Sequence, residues 1–138
     1  MGQLITTIMS LLLLVIVQVG VVQFHLISQI KNELLDISFA TATFISNRGG
    51  ISEADVSQAA RDFVKEELKI KSYQLDEKDL TMGISRTFAQ EPVLWSHADQ
   101  FELSMRVPVP FITRVFGRDS DQIYVTRNGT INVMDYDL

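Results

Sequence analysis

The stretch Ile8–Val22, IMSLLLLVIVQVGVV, decides how this 138-residue chain folds, because it is almost unbroken hydrocarbon. No Asp, Glu, Lys or Arg occurs anywhere in residues 1–30. A helix needs about 20 mainly apolar residues to cross a bilayer core of roughly 30 Å. The sequence therefore predicts that residues 1–30 form the transmembrane half of a long helix, with the lipid bilayer as a partner.

Two other interpretations of this stretch are weaker. A cleaved secretory signal needs a basic segment before the apolar run and small residues after it. Here no basic residue precedes the run, and Val21–Ile27 is bulky. A helix buried inside a globular protein would need more chain around it than the remaining residues supply. A membrane anchor is therefore expected.

The rest of the composition describes one small, mildly acidic domain. Twelve Lys and Arg residues against 17 Asp and Glu residues give a formal charge of -5, and there is no cysteine. An acidic domain repels phosphate backbones, so nucleic-acid binding is disfavoured. The absence of cysteine excludes disulfides, thiolate metal sites and cysteine nucleophiles.

The helix is expected to continue beyond the membrane, because residues 25–47 contain neither Pro nor Gly. Arg48, Gly49 and Gly50 then supply a cation near the helix end and a glycine stop. We expect one helix of about 40 residues whose soluble half, residues 31–50, packs on a head domain of residues 51–138. Apolar side chains on one helical face mark that packing surface: Ile30, Leu34, Ile37, Phe44 and Ile45.

In the head, Ser52 and Asp55 resemble a capping box that begins a second helix, predicted from Glu53 to about Leu68. Strands are then predicted where apolar residues alternate with polar ones, first around residues 80–84 and more clearly over 101–107. Asn128-Gly129 between two apolar runs predicts a type I′ hairpin turn. Residues 88–99 and 116–121 are predicted loops, with Trp95 packed under the first. The fold class is α+β, with a pilin-like long helix and an antiparallel sheet of three or four strands.

One face of the apolar segment carries polar residues. At 100° per residue a sector of roughly 80° contains a stripe of polar side chains: Gln3, Thr7, Ser10, Gln18, His25, Ser28 and Asn32. Polar groups in a membrane can hydrogen-bond across a helix interface for about 0.6 to 2 kcal/mol each. The stripe therefore predicts a helix–helix interface through Gln3, Thr7, Ser10, Gln18 and His25. The alternative is that these side chains bond their own backbone or reach the surface, and Gln23 lies on the opposite face.

No constellation of catalytic, cofactor-binding or metal-ligating residues is recognisable. His25 and His97 are far apart in the sequence, and neither has an acidic residue at metal-ligand spacing. The paired acids Asp119 with Asp121, and Asp135 with Asp137, are interpreted as solvated charge. We expect a protein that is not an enzyme and needs no cofactor.

The order of these segments resembles the TadE-like pseudopilins, minor pilin-like proteins of tight-adherence (Tad/Flp) pili and related secretion or conjugation systems. The resemblance lies in Gln23-Phe24 at the end of the span and in the amphipathic helix from Asn32 to Arg48 with its Ala40-Thr41-Ala42 run. It continues in the strand from Phe101 to Pro110, FELSMRVPVP, and in the following FITRVFG from Phe111 to Gly117. Such a family implies an extracytoplasmic head on a single-pass cell-membrane protein. The positive-inside rule, applied to Lys31 and Arg48, would instead favour the cytoplasm.

The amino-terminal end departs from the family pattern. Pilin-like precursors usually have a basic leader, a Gly cleavage point and a Glu five residues into the mature chain. Here Gly2 is followed by Gln3, Thr7 stands in place of that Glu, and no Lys or Arg precedes the helix. A minor subunit that starts an assembly, a relative that stays in the membrane and a chain with a misassigned start all fit this departure.

Two functions from different classes follow. The first is a structural pilin-like subunit of a membrane-anchored pilus, secretion or conjugation apparatus, which acts by helix-mediated assembly. Its partners would be copies of itself or other pilin-like subunits, with a secretion ATPase and platform complex. The second is a single-pass, membrane-tethered binding or sensor module, or an accessory subunit of a membrane complex, in which the span is only an anchor.

Overall fold

A computed structural model describes residues 1–112 and 121–138, and its longest element is helix α1, Gly2–Arg48. The 47 residues of α1 contain no proline, and at 1.5 Å per residue they extend about 70 Å. The predicted single long helix is confirmed. It ends at Gly49, whose φ of 57° is disfavoured for any side-chain-bearing residue and whose N–H donates to the Ile45 carbonyl at 2.9 Å.

Burial divides α1 into two halves. Every residue from Met1 to Gln18 is exposed, and the first buried residue is Gln23. An 18-residue window of α1 has a mean hydropathy of 2.5 and no burial at all, so residues 1–112 and 121–138 contain one helix long and apolar enough to cross a membrane. Beyond Gln23 the head covers one side of the helix and buries a row of side chains: Ile30, Leu34, Ile37, Ser38, Thr41, Ala42 and Ile45.

Helix α2, Glu53–Lys71, begins at the predicted cap and returns alongside α1. The hydroxyl of Ser52 accepts a hydrogen bond from the Asp55 N–H at 3.2 Å, which satisfies one of the free donors of the first turn. Arg48 donates to both carboxylate oxygens of Asp55, each at 3.1 Å. This bidentate pair joins the end of α1 to the start of α2. The helix extends three residues beyond the predicted Leu68 and ends at Ser72.

The described residues form one antiparallel sheet of three strands in the order β1-β2-β3: β1, Thr81–Phe88; β2, Gln100–Pro108; and β3, Gln122–Thr130. As the alternation predicts, β2 places Phe101, Leu103, Met105 and Val107 in the core. A short 3-10 turn, Asp135–Asp137, follows β3. The α+β class is confirmed, and the sheet has three strands rather than four in these residues.

The predicted hairpin turn at Asn128-Gly129 is wrong. Both residues lie inside β3, where Asn128 pairs with Glu102 and Gly129 with Phe101. The glycine is explained by the ring of Phe101 on the neighbouring strand, which the local sequence pattern does not reveal. A Cβ at Gly129 would lie 2.4 Å from the nearest ring atom of Phe101, so glycine is needed to let this ring pack across the strand.

Among the residues described, one hydrophobic core joins the second half of α1 to α2 and to the inward face of the sheet. Leu34, Trp95, Phe101 and Ile131 are fully buried within it. Trp95 lies under the loop that connects β1 and β2, as predicted. Of the loop predicted at residues 116–121, residues 116–120 lie outside the described residues.

Candidate functional site

The polar stripe lies on the side of α1 that faces away from the head. Gln3, Thr7, Ser10, Gln18 and His25 are all exposed. At 100° per residue, the buried positions 23, 34 and 41 are about 180° from the centre of this stripe. The head therefore leaves the stripe accessible to another helix.

The side chains of the stripe differ in their hydrogen bonds. The hydroxyl of Thr7 donates to the Gln3 carbonyl at 2.8 Å, as does Thr6 to the Gly2 carbonyl at 2.9 Å. Thr7 thus follows the alternative interpretation of a hydroxyl bonded to its own helix. Within residues 1–112 and 121–138 the Gln18 amide makes no hydrogen bond, so Gln18 is able to bond across an interface.

The uncovered face continues above the apolar half of α1. Asn32 is exposed, and Phe39 has 59% of its surface exposed although it lies level with the head. The guanidinium of Arg127 from β3 lies 5.3 Å from the Phe39 ring centroid. The stripe and Phe39 together form one open surface along most of α1.

The residues predicted to pack α1 against the head contact two different parts of it. Ile30, Leu34 and Ile37 are buried against the sheet core. Phe44 is half-buried and stacks on Phe63 of α2, with ring centroids 4.5 Å apart and planes 9° from parallel. The four residues therefore connect α1 to two different elements of the head.

The side chain of Gln23 makes contacts that the sequence did not predict. Its amide oxygen accepts a hydrogen bond from the Ile112 N–H at 2.8 Å, and its amide nitrogen donates to the Pro110 carbonyl. Only 6% of its surface is exposed. The sequence signal was a single amide opposite the polar stripe, and the structure shows that it holds the segment after β2 against the helix.

A polar cluster ties the end of α2 to α1. The hydroxyl of Tyr73 donates to Asp36, Lys71 lies 3.4 Å from the same carboxylate, and Glu33 accepts from the Gln74 N–H at 2.9 Å. The Tyr73 hydrogen bond and the Lys71 ammonium hold the pKa of Asp36 below its usual range. Burial, with the negative charge of Asp36, raises the pKa of Tyr73.

The loop between β1 and β2 is organised around a buried carboxylate. Asp99 is fully buried, accepts hydrogen bonds from the Gln90 and Ser96 N–H groups, and lies 3.6 Å from the Arg86 guanidinium. Arg86 also donates to the backbone carbonyls of the loop at residues 91, 92 and 94. Paired and hydrogen-bonded in this way, Asp99 holds the loop in place.

The described residues contain no group of three or more His, Asp and Glu side chains that could hold a metal ion. His25 and His97 are both exposed and lie at opposite ends of the head. A shallow groove of about 800 Å³ runs between α1 and α2, and its apolar lining includes Phe39, Phe44 and Phe63.

No protein-family profile, no curated protein and no solved structure matches this chain.

Proposed function

We propose that this chain is a pilin-like structural subunit, of the TadE-like pseudopilin type, in a membrane-anchored pilus, secretion or conjugation apparatus. The observation that carries the proposal is the division of α1. Its first half is apolar and unburied, and its second half is built into a small head on one side only. A helix of this kind offers its free face for packing with other helices while it holds the head outside the lipid.

The polar stripe supports assembly as the mode of action. It faces away from the head, and the amide of Gln18 lacks a partner within the described residues of the single chain. In hydrocarbon an amide gains free energy by bonding to a second helix. Copies of this chain or other pilin-like subunits are the proposed partners, and a secretion ATPase with its platform complex would serve the assembly. The head is proposed to be extracytoplasmic.

Cysteine cross-linking in the membrane tests the proposal, since the chain has no cysteine of its own. Leu14 completes the stripe, whereas Ile16 lies on the opposite side of the helix. Mild oxidation should produce dimers from a Leu14→Cys variant and few from a matched Ile16→Cys variant. Adding Gln18→Leu to Leu14→Cys should reduce the dimer fraction several-fold. Equal dimer yields from both positions, unaffected by Gln18→Leu, would contradict helix-mediated assembly.

The groove between α1 and α2 favours a second candidate, a membrane-tethered binding or sensor module. In that case the span is only an anchor, so a scrambled apolar sequence over residues 4–22 should preserve function. The pilin-like proposal expects the same scrambled variant to lose assembly. Protease treatment of intact spheroplasts tests orientation, and a protected head would rule out the pilin-like arrangement.

A further inference from the structure

We infer that the segment Val109–Ile112 is a second membrane contact, which lies in the interfacial layer of the bilayer that α1 enters. Gln23 holds it there. The inference rests on the membrane span of the proposed function and adds to it a defined contact between the head and lipid.

The depth of the segment follows from its hydrogen bonds to α1. Gln23 is the residue directly after the apolar run that ends at Val22, and its amide bonds the backbone at both Pro110 and Ile112. Residues 2–22 of α1 are about 30 Å long, which matches the hydrocarbon thickness of a bilayer. The segment is therefore level with the point where the helix leaves the hydrocarbon.

The side chains at this level suit lipid. Ile112 has 48% of its surface exposed, and on α1 Phe24 has 74% and Val22 53%. Residues 107–112, VPVPFI, contain no charged or hydrogen-bonding side chain. Apolar and aromatic side chains beside a helix end are the composition that partitions into the boundary between headgroups and acyl chains.

The backbone of the segment also leaves few N–H groups that would need water. Pro108 and Pro110 have no N–H group. The Val109 N–H donates to the Asp121 carbonyl at 3.0 Å, and the Ile112 N–H donates to Gln23. An irregular segment in contact with lipid is costly mainly because of unpaired backbone groups. Here several of those groups are either absent or paired.

The bilayer is the occupant that the arrangement favours over a protein. The exposed side chain of Ile112 lies level with the exposed Val22 and Phe24 of α1, and the unburied apolar surface of α1 already needs lipid around it. A protein that covered the segment would need to reach the same depth beside the helix. The accessibility measurements below distinguish such a protein from lipid.

The test measures the depth of a nitroxide on the full chain in vesicles of phosphatidylcholine and phosphatidylglycerol. Single cysteines are placed at Ile112, at Leu13 in the middle of the span, and at Val93. Val93 is a matched control because it is an exposed aliphatic residue, 57% exposed. It lies two residues before Trp95, which pairs with Gly50 just beyond the end of α1, about 40 Å from the level of Gln23.

The label at Ile112→Cys should collide several-fold more often with oxygen, relative to a water-soluble nickel complex, than the label at Val93→Cys. The label at Leu13→Cys should be deepest. If Ile112→Cys is as accessible to nickel as Val93→Cys while Leu13→Cys is in lipid, the inference fails and the span stands. If Leu13→Cys is itself in water, the proposed function fails as well. Shielding of Ile112→Cys from both reagents would indicate a protein occupant and overturn the inference.

A second variant tests the role of Gln23. Adding Gln23→Leu to Ile112→Cys keeps the helix apolar and removes both hydrogen bonds, so the oxygen preference at residue 112 should fall towards that of Val93→Cys. Gln29→Leu is the matched control, because it changes an amide in the same helix that hydrogen-bonds to Glu33 and not to the segment, and it should leave the depth unchanged. An unchanged depth with Gln23→Leu would show that Gln23 does not hold the segment.

Discussion

Gln23 shows how one side chain can decide where a helix and a sheet meet. Its amide offers a donor and an acceptor, and the backbone after β2 uses both. Replacing it by an apolar residue leaves a carbonyl and an N–H group unpaired in a partly buried place. Such groups cost about 1 to 3 kcal/mol.

We therefore expect Gln23→Leu to lower the free energy of unfolding by about 1 to 3 kcal/mol. Urea unfolding in detergent micelles, followed by fluorescence of the single tryptophan, Trp95, would measure it as a lower midpoint at unchanged slope. Gln29→Leu is the control, because the Gln29 amide hydrogen-bonds only to Glu33 of the same helix among the described residues. If the two variants unfold at the same urea concentration, the Gln23 contacts contribute nothing to stability.

Gly129 is a residue whose role is to be small. The Phe101 ring that crosses it is fully buried, so the ring cannot move away from an added methyl group. We expect Gly129→Ala to cost about 1 to 3 kcal/mol through overpacking. The same urea titration measures this loss.

Gly83→Ala provides the matched control for that prediction. Gly83 lies in β1, and a Cβ there would meet only the Ser104 hydroxyl, at 2.9 Å, which can rotate away. The Gly83→Ala variant should change the free energy of unfolding by less than about 0.5 kcal/mol. Equal losses at Gly129 and Gly83 would mean that the contact with Phe101 is not the cause.

At the scale of elements, the contact between α1 and α2 should depend on pH. The pKa of Asp36 is lowered in the folded chain by Tyr73 and Lys71, so ionised Asp36 stabilises the fold above its unfolded pKa of about 3.9. That contribution is lost as the pH falls below about 4 and the carboxylate becomes protonated. Because Asp36 is largely exposed, the effect is small.

We expect Asp36→Asn to flatten the decline in the urea midpoint between pH 6 and pH 3. Tyr73→Phe should flatten it in the same direction, because it removes the donor and leaves the carboxylate in place. Paired titrations of the two variants beside the unchanged chain would show this. A decline that is the same in all three chains would contradict the prediction.

The elements also show which features of the fold can be predicted from the sequence and which cannot. The long helix, its stop at Gly49, the cap at Ser52 and the alternation in β2 are local signals, and the structure contains them all. The Asn128-Gly129 turn failed because a buried ring from a neighbouring strand, rather than a chain reversal, explains the glycine. Gln23 was missed because its partners are nearly 90 residues away along the chain, where spacing carries no information.

At the scale of the whole molecule, the head should be independent of the apolar half of α1. Residues 1–18 are exposed throughout, and the core contains no residue before Leu26. We expect a chain that begins at Val19 to keep its Trp95 unfolding midpoint, with a change below about 0.5 kcal/mol. It should also no longer sediment with membranes.

The control for that truncation is the full chain in detergent, measured in the same urea series. A truncated head that unfolds at a much lower urea concentration would show that the first half of α1 contributes to the fold of the head. Sedimentation of the truncated chain with vesicles would show that another part of the chain is sufficient for anchoring.

The unbroken course of α1 has a mechanical consequence. A helix without proline or any other interruption between the lipid and the head has no hinge, so it transmits tilt as a rigid lever. A tilt of about 20° is usual for membrane-spanning helices. It would move the end of α1 sideways by about 13 Å relative to Gln23, where the helix leaves the lipid. Small changes in how the span is held among its neighbours would therefore be amplified into large displacements of the loops at the far end of the head.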